Sequence, residues 1–500
     1  MPDSSHAVDW RPWGPEAFAT ADADQRPVLL GVGVSWSLGC AQMLRTTYRD
    51  PAVLELIERH FVPVWVDAED RPDINDRYNL GGWPTTAFLT SDGQFLGGQT
   101  FTESDRMVDL LRQVADAFGA RRQELAPGTG PSQPSLASAR PTPGAPPTLA
   151  LHLEAWLAEY LRDAFDPEHG GFGRAAKRID EAPLLLALTG CRGENNTMCQ
   201  MATQTLDAVG WGPLFDDVDG GVFRYAEGRD WSQPHVEKLL SVNASALRLF
   251  LEAWDATGDR RYRDRALEVL RYVRETLADH SHGGFFASQQ ADDLYYETEP
   301  ADRSKLRPPP VDRVLYSGGN SQMARAYLRA AELLDDGSLL DFAVLTVERV
   351  VGQSYARGEG IGHRVDMDQP VRGLLDDQVS VSEVLCEAYA ATDRDVYLDL
   401  AQELMLFATR SLADGRSGAL VDRAVAADDV GLLRHPITPF ALNCRAARIL
   451  ARLGHMAGRS DLREQAGIVL ASQTSTALSK GVEAAEYVLA LQAIGPSEPS

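Results

Sequence analysis

The spacing of apolar and polar residues changes character along the chain. Val28-Leu-Leu-Gly-Val-Gly-Val34 is a nearly unbroken apolar run, the pattern of a strand covered on both faces. Phe61-Val-Pro-Val-Trp-Val66 predicts a second such strand. Thr85–Thr90, the turn Ser91-Asp92-Gly93 and Gln94–Gly97 predict a hairpin. Helical patterns begin near Cys40 and cover Pro51–His60 and Glu103–Phe118. The order βαβ, hairpin, helix predicts an α/β thioredoxin-like domain over residues 1–120.

Prolines then cluster at 127, 131, 134, 141, 143, 146 and 147 among Gly, Ser, Thr and Ala. Such a segment cannot bury a core, so residues 121–148 read as a Pro-rich linker. From 149 to 500 the pattern is helical, with about twelve segments beginning near 149, 180, 196, 235, 259, 313, 338, 376, 395, 436, 460 and 480. In several of them a capping-type residue is followed by an apolar residue four before an alanine: Tyr262 and Ala266, Leu339 and Ala343, Tyr397 and Ala401, Leu462 and Ala466. That spacing puts both on one helix face. Glycine pairs at His169-Gly-Gly-Phe172, Asp219-Gly-Gly-Val-Phe223 and His282-Gly-Gly-Phe285 suit tight turns. Six helical hairpins closing on themselves predict an all-α (α/α)6 toroid for residues 149–500.

Composition narrows the function. Of 500 residues, 44% are apolar and 24% charged, and Asp+Glu (72) outnumber Lys+Arg (48) for a formal charge of -24. A chain this acidic is a poor partner for nucleic acid or anionic membranes. It has no apolar run of about 18 residues. Met1–His6 lacks the basic and apolar regions of a secretory signal, so the cytoplasm is the expected compartment. Cys40, Cys191, Cys199, Cys386 and Cys444 are scattered without a CxxC pair, which argues against a disulfide framework or a Cys-rich metal site. No HxxxH or HExxH spacing occurs, so neither metal nor cofactor is expected.

Several strings carry a family resemblance. They are Val8-Asp9-Trp10-x-Pro12-Trp13-Gly14, Val66-Asp67-Ala68-Glu69-Asp70-Arg71-Pro72-Asp73 and Gly81-Gly82-Trp83-Pro84-Thr85. Further on come Gly220-Gly221-Val222-Phe223-Arg224-Tyr225, Trp231-x-x-Pro234-His235-Val236-Glu237-Lys238-Leu239-Leu240, Asn243-Ala244 and Leu375-Asp376-Asp377. In these the chain resembles a divergent bacterial member of the spermatogenesis-associated thioredoxin-like family, which pairs a thioredoxin domain with an (α/α)6 barrel. The barrel is similar to those of N-acylglucosamine 2-epimerases and six-hairpin glycosidases, so the resemblance implies a link to carbohydrate. The sequence departs from the family where Cys-x-x-Cys is replaced by Ser37-Leu38-Gly39-Cys40, where Ala176-Lys177-Arg178-Ile179 replaces Pro-Lys-Phe-Pro, and where Gly319-Asn320 replaces Trp-Asn.

The first departure has a chemical consequence. Dithiol exchange needs an exposed, activated thiolate and a second thiol to resolve the mixed disulfide. Ser37 can supply neither, and Cys40 alone reads as a small buried hydrophobe; a monothiol redox or chaperone role is the alternative. The family's loop makes Pro84 a candidate cis-proline. In the toroid, His235 and Glu237 form the candidate base and acid, expected to open the helix that runs to Trp254, with Arg224, Tyr225, Trp231 and Asn243 as candidate ligand-binding residues. Lys238 reads as solvated. Asp376 and Asp377 read first as a helix cap, second as a proton-sharing pair. The expected function is a redox-inactive protein whose toroid binds a carbohydrate-like ligand. The alternatives are an epimerase-like or glycoside-processing enzyme and an interaction scaffold, and the sequence names no protein partner.

Overall fold

A computed structural model describes residues 7–120, 147–192 and 196–495. Most of the expected linker, 121–148, lies outside these. The described residues form two compact units, Met1–Ala137 with Arg423–Pro436, and Ser138–Asp422 with Ile437–Ser500.

The first unit contains α1 (Pro15–Ala23), β1 (Val28–Gly33), α2 (Leu38–Arg45), α3 (Pro51–His60), β2 (Val62–Asp67), α4 (Pro72–Tyr78), β3 (Thr85–Leu89), β4 (Phe95–Gln99) and α5 (Ser104–Ala120). The sheet order is β2-β1-β3-β4, with β1 parallel to β2 and the other pairs antiparallel. This is the thioredoxin-like layout. All six residues of β1 are buried, as its apolar run requires. Gly31 and Gly33 sit under the Trp65 ring, where an added Cβ would lie 2.6 Å from it. The Asp50 carboxylate caps α3 by accepting from the Ala52 and Val53 amides, with Pro51 in the first turn.

Residues Arg423–Pro436 group with this unit although they follow far along the chain. The Tyr78 hydroxyl donates to the Gly93 carbonyl at 2.8 Å and accepts from the Leu432 amide at 2.8 Å. Arg423 bonds Asp429 and lies 3.2 Å from Asp73. The sequence pattern assigned this segment to the helical domain.

The second unit is an (α/α)6 toroid. Its inner helices are α7 (Glu181–Thr189), α9 (Leu240–Thr257), α13 (Ser317–Leu334), α15 (Leu375–Thr392), α17 (Phe440–Met456) and α19 (Ala485–Ile494). Each packs on the next, and α19 packs back on α7 to close the ring. The outer helices are α6 (Pro147–Ala164), α8 (Asn196–Gly210), α10 (Arg260–Tyr272), α14 (Gly337–Ser354), α16 (Asp395–Ser411) and α18 (Ser460–Ala477), with α6 and α19 pairing the first and last helices of the toroid. Short elements fill the connections: β5 (Tyr225–Ala226), β6 (Pro234–His235), β7 (Lys238–Leu239), β8 (Ser288–Gln289), α11 (Asp293–Glu297), α12 (Pro300–Arg303), β9 (Val311–Asp312), β10 (Tyr355–Ala356) and β11 (Gly360–Ile361). None of the described helices is long and apolar enough to cross a membrane.

Inner-to-outer turns are short and use left-handed residues, Gly258, Asp335 and Asp393. Outer-to-inner connections are long, except the one from α18 to α19. All inner helices therefore begin at one end of the ring, the end that carries the long loops.

A repeated device fixes those beginnings. The fourth residue of α9, α13, α15 and α17 is an amide: Asn243, Asn320, Gln378 and Asn443. Each accepts from the backbone N–H and donates to the carbonyl of one residue in the preceding connection (Val222, Phe285, Ile361 and Leu420). Each also donates to the carbonyl four residues back, that of the residue immediately before its helix. Just before three of those residues the chain turns through an aspartate whose carbonyl accepts from a glycine amide four residues on, Asp216 to Gly220, Asp279 to Gly283 and Asp414 to Gly418.

Two expectations are corrected here. The helix expected from His235 begins only at Leu240. Residues 234–239 are extended because β6 pairs with β5, β7 pairs with β8, and the Arg224 amide donates to the His235 and Glu237 carbonyls. Lys238 is fully buried rather than solvated. Its Nζ donates to Asp216 and to the Gly220 carbonyl, both at 2.7 Å, among the rings of Phe223, Tyr272 and Tyr296.

Cys191 and Cys199 form a disulfide. Their spacing in the sequence carries no signal for the pairing. They meet because a 3-10 turn extends α7 to Arg192 and brings Cys191 against the first turn of α8.

Candidate functional site

In the thioredoxin-like unit the strand β1 leads into α2, which Ser37 caps by accepting from the Cys40 amide at 3.3 Å. Cys40 is buried, its sulfur accepts from the Val34 amide, and burial pushes its thiol up from the ordinary value. The Trp83–Pro84 bond is cis. An added Cβ on Gly39 would lie 3.3 Å from Pro84 Cδ, so this proline packs on the start of α2. The three residues Ser37, Cys40 and Pro84 are together, and the only sulfur among them is shielded.

In the toroid the β5–β6 hairpin lies in the connection entering α9 and gathers four of the expected residues. Arg224 is ion-paired with the buried Glu237 through its Nε and stacks over the Tyr225 ring at 4.7 Å. The His235 and Tyr225 rings stack with centroids 4.3 Å apart. His235 Nε2 lies 2.8 Å from Glu227 and 2.9 Å from the Tyr225 hydroxyl, and Nδ1 lies 3.4 Å from Arg224 Nη2. An arginine N–H can only donate, so Nδ1 is the accepting nitrogen and Nε2 carries the proton toward Glu227. His235 remains about one third exposed. Glu237 positions Arg224 rather than standing free as an acid.

Trp231 and Asn243 are elsewhere. Trp231 is buried against Gly171 and donates from Nε1 to the His169 carbonyl at 2.8 Å. Asn243 is wholly buried in the amide device described above. Neither joins the hairpin cluster.

A second imidazole–carboxylate pair was not foreseen. His363, in the connection entering α15, places Nδ1 3.1 Å from both oxygens of Asp377, in the first turn of α15. Asp377 is buried, and that burial lifts its carboxyl above the ordinary value against the opposing pull of His363. The His363 carbonyl accepts from the Ser317 amide at the start of α13, and its ring lies against Tyr316. Asp376, the neighbour of Asp377, is about half exposed and faces Arg445 at 3.4 Å. The paired aspartates were visible in sequence. The histidine, 14 residues earlier, was not, because only the β10–β11 turn and the fold of the connection bring it back to the helix.

Comparison with known proteins agrees with this architecture. Residues 2–131 match the family Thioredox_DsbH, described as "Protein of unknown function, DUF255". The N-terminal domain is thioredoxin-like and matches this family. The chain is 30% identical over 342 residues to spermatogenesis-associated protein 20 of Mus musculus, a match covering 61% of this chain and 42% of that protein. It thus spans less than half the length of that relative. The toroid is similar in fold to cellobiose 2-epimerase from Spirochaeta thermophila (TM-score 0.53, 17% identity, 65% of this chain and 84% of that one). It is also similar to a D-mannose isomerase (TM-score 0.53, 14% identity, 68% and 87%). The resemblance carried by the sequence motifs is borne out, as is the pairing of a thioredoxin-like domain with a toroid.

Proposed function

We propose that the toroid binds a carbohydrate-like ligand at the end where its inner helices begin, and that the thioredoxin-like domain takes no part in redox chemistry. The observation that carries the first clause is the placement of two imidazole–carboxylate groups, His235 with Glu227 and His363 with Asp377, in connections that enter inner helices. Both therefore belong to the same end of the ring. Stacked aromatic rings beside fixed polar groups suit a hydroxylated ring, which offers apolar faces and a rim of hydroxyls. The shared fold with cellobiose 2-epimerase and a D-mannose isomerase supports a sugar in particular, as an analogy of fold. The redox clause rests on Ser37 and on the burial of Cys40.

Turnover is the second reading. Epimerisation needs an acid and a base about one carbon, and two histidines held by carboxylates supply groups of that kind. We propose cytoplasmic residence, where glutathione would keep Cys191 and Cys199 reduced. A thermal-shift screen of neutral sugars and sugar acids tests the binding proposal. Stabilisation that is lost in His235→Ala and His363→Ala supports it, and a broad screen without any shift removes it. Deuterium from solvent appearing at a sugar carbon would establish epimerisation.

A further inference from the structure

The amide at the fourth position of each inner helix sets a register that runs deeper into the ring. Two residues after it stand Ser245, Gln322, Ser380 and Arg445. Five residues after it stand Arg248, Arg325, Glu383 and Arg448. On four consecutive inner helices these last residues occupy the same turn, about 12 Å below the helix start at 1.5 Å per residue. They form a belt of three arginines and one glutamate.

The carboxylates around the belt are shared unevenly. Glu383 alone is shared by Arg325 at 2.6 Å, Arg448 at 2.7 Å and Arg445 at 3.1 Å. Burial would raise its carboxyl, and the surrounding guanidiniums outweigh that and hold it well below the ordinary value. Arg325 has a second partner in Glu387 at 3.0 Å. Arg248 has only Glu181 at 3.8 Å, and makes no hydrogen bond among the described residues. Glu486 approaches Arg448 no closer than 3.6 Å, and its Oε2 is buried without a hydrogen-bond partner. A cavity of about 90 Å³ lies between these groups, lined by all four arginines but by only two carboxylates, Glu181 and Glu486. Glu383, Glu387 and Asp376 pair with the same arginines from outside the lining, so it is the cavity wall itself that presents more guanidinium than carboxylate. Guanidinium forks converging on a small partly dry space select anions, because each fork presents parallel donors and no acceptor.

We infer that the axial cavity is an anion subsite, and that the ligand of the toroid carries a carboxylate or phosphate group received by Arg248, Arg445 and Arg448. The inference rests on the carbohydrate reading for the remainder of the ligand. At about 10–15 Å³ of such volume per water, the cavity has room for one anionic group with a few waters. Ser245 donates to Glu181 Oε2 at 2.5 Å, while Glu181 Oε1 stays 3.8 Å from Arg248, beyond hydrogen-bond distance.

Calorimetric titration of the full chain with glucose, mannose and N-acetylglucosamine, their 6-phosphates, glucuronate, mannuronate and inorganic phosphate tests this. The anionic forms should bind about tenfold or more tightly than their neutral parents, an advantage that falls with salt. Arg248→Gln should abolish the advantage, and Glu181→Gln, which removes a competing carboxylate, should enlarge it. Preference for the phosphates or for the uronates identifies which group the site takes. Equal binding of neutral and anionic sugars overturns the anion subsite and leaves the carbohydrate reading standing. Binding of inorganic phosphate with no gain from any attached sugar supports the subsite and overturns the carbohydrate reading. No binding by any probe overturns both. Should Arg248→Gln fail to fold, unchanged affinity in Glu181→Gln overturns the subsite by itself.

Discussion

The Nδ1 of His363 sits 3.1 Å from each carboxylate oxygen of the buried Asp377. The contact fixes the imidazole tautomer by holding a proton on Nδ1. Nitrogen-detected NMR should find that tautomer in the wild type at neutral pH and a mixture in Asp377→Ala. Chemical denaturation should show that variant less stable by about 1–3 kcal/mol, because it removes a hydrogen bond between a mostly buried imidazole and a buried carboxylate.

The amide device should be costly to lose. Asn320→Ala and Asn443→Ala each remove three hydrogen bonds to buried backbone groups that cannot reach water instead. Each should cost about 1–3 kcal/mol by denaturant titration, and Asp at either position should be no better than Ala because it cannot donate.

Redox inactivity predicts no insulin reduction by the natural protein, and slow alkylation of Cys40 until the chain unfolds. Ser37→Cys should create a dithiol at the start of α2 and give measurable activity, since the helix terminus and cis-Pro84 are already in place. Activity in the natural protein would overturn this.

Under denaturing, non-reducing conditions, alkylation followed by intact-mass measurement should count Cys40, Cys386 and Cys444 as free, and Cys191 and Cys199 as joined. The same measurement on cells lysed directly into denaturant and alkylating reagent should find all five cysteines free if the cytoplasm is its home.

Asp216 ties acid stability to the toroid. Burial would raise its carboxyl, but Lys238 and Arg303 outweigh it and hold it below the ordinary value. A depressed native value means that its stabilisation is fully present above the unfolded carboxylate range near pH ~4 and is lost as pH falls below it. Glu383 has the same sign. Thermal unfolding between about pH 5 and 2 should fall steeply in the wild type. Asp216→Asn should be destabilised at neutral pH by about 3–5 kcal/mol, since Lys238 is left buried without its counter-charge, and should show a shallower acid slope.

Much of the fold was legible because short-range physics decides it. An unbroken apolar run can only be a covered strand, which located β1 and β2 within a residue or so of their observed limits. The helical period and the glycine turns placed the toroid helices, missing chiefly where Pro234–Leu239 is held extended by strands distant in sequence. The cluster of Arg224, Tyr225, His235 and Glu237 was also legible, since a single hairpin carries it. Trp231 and Asn243 looked like ligand contacts because sequence does not distinguish a polar tip facing a cavity from one satisfying buried backbone.

What the sequence settled by itself is the kind of element at each position and the loss of a thiol at Ser37. Those follow from periodicity and from side-chain chemistry, which need no partner. The tertiary structure decided which charges meet. His363 reaches Asp377 through the fold of the connection entering α15, and Arg248, Arg325, Glu383 and Arg448 share one turn because α9, α13, α15 and α17 pack side by side in the ring. Ion pairs and buried amides depend on distances of a few ångströms between residues tens of positions apart, and only the closed ring sets those distances.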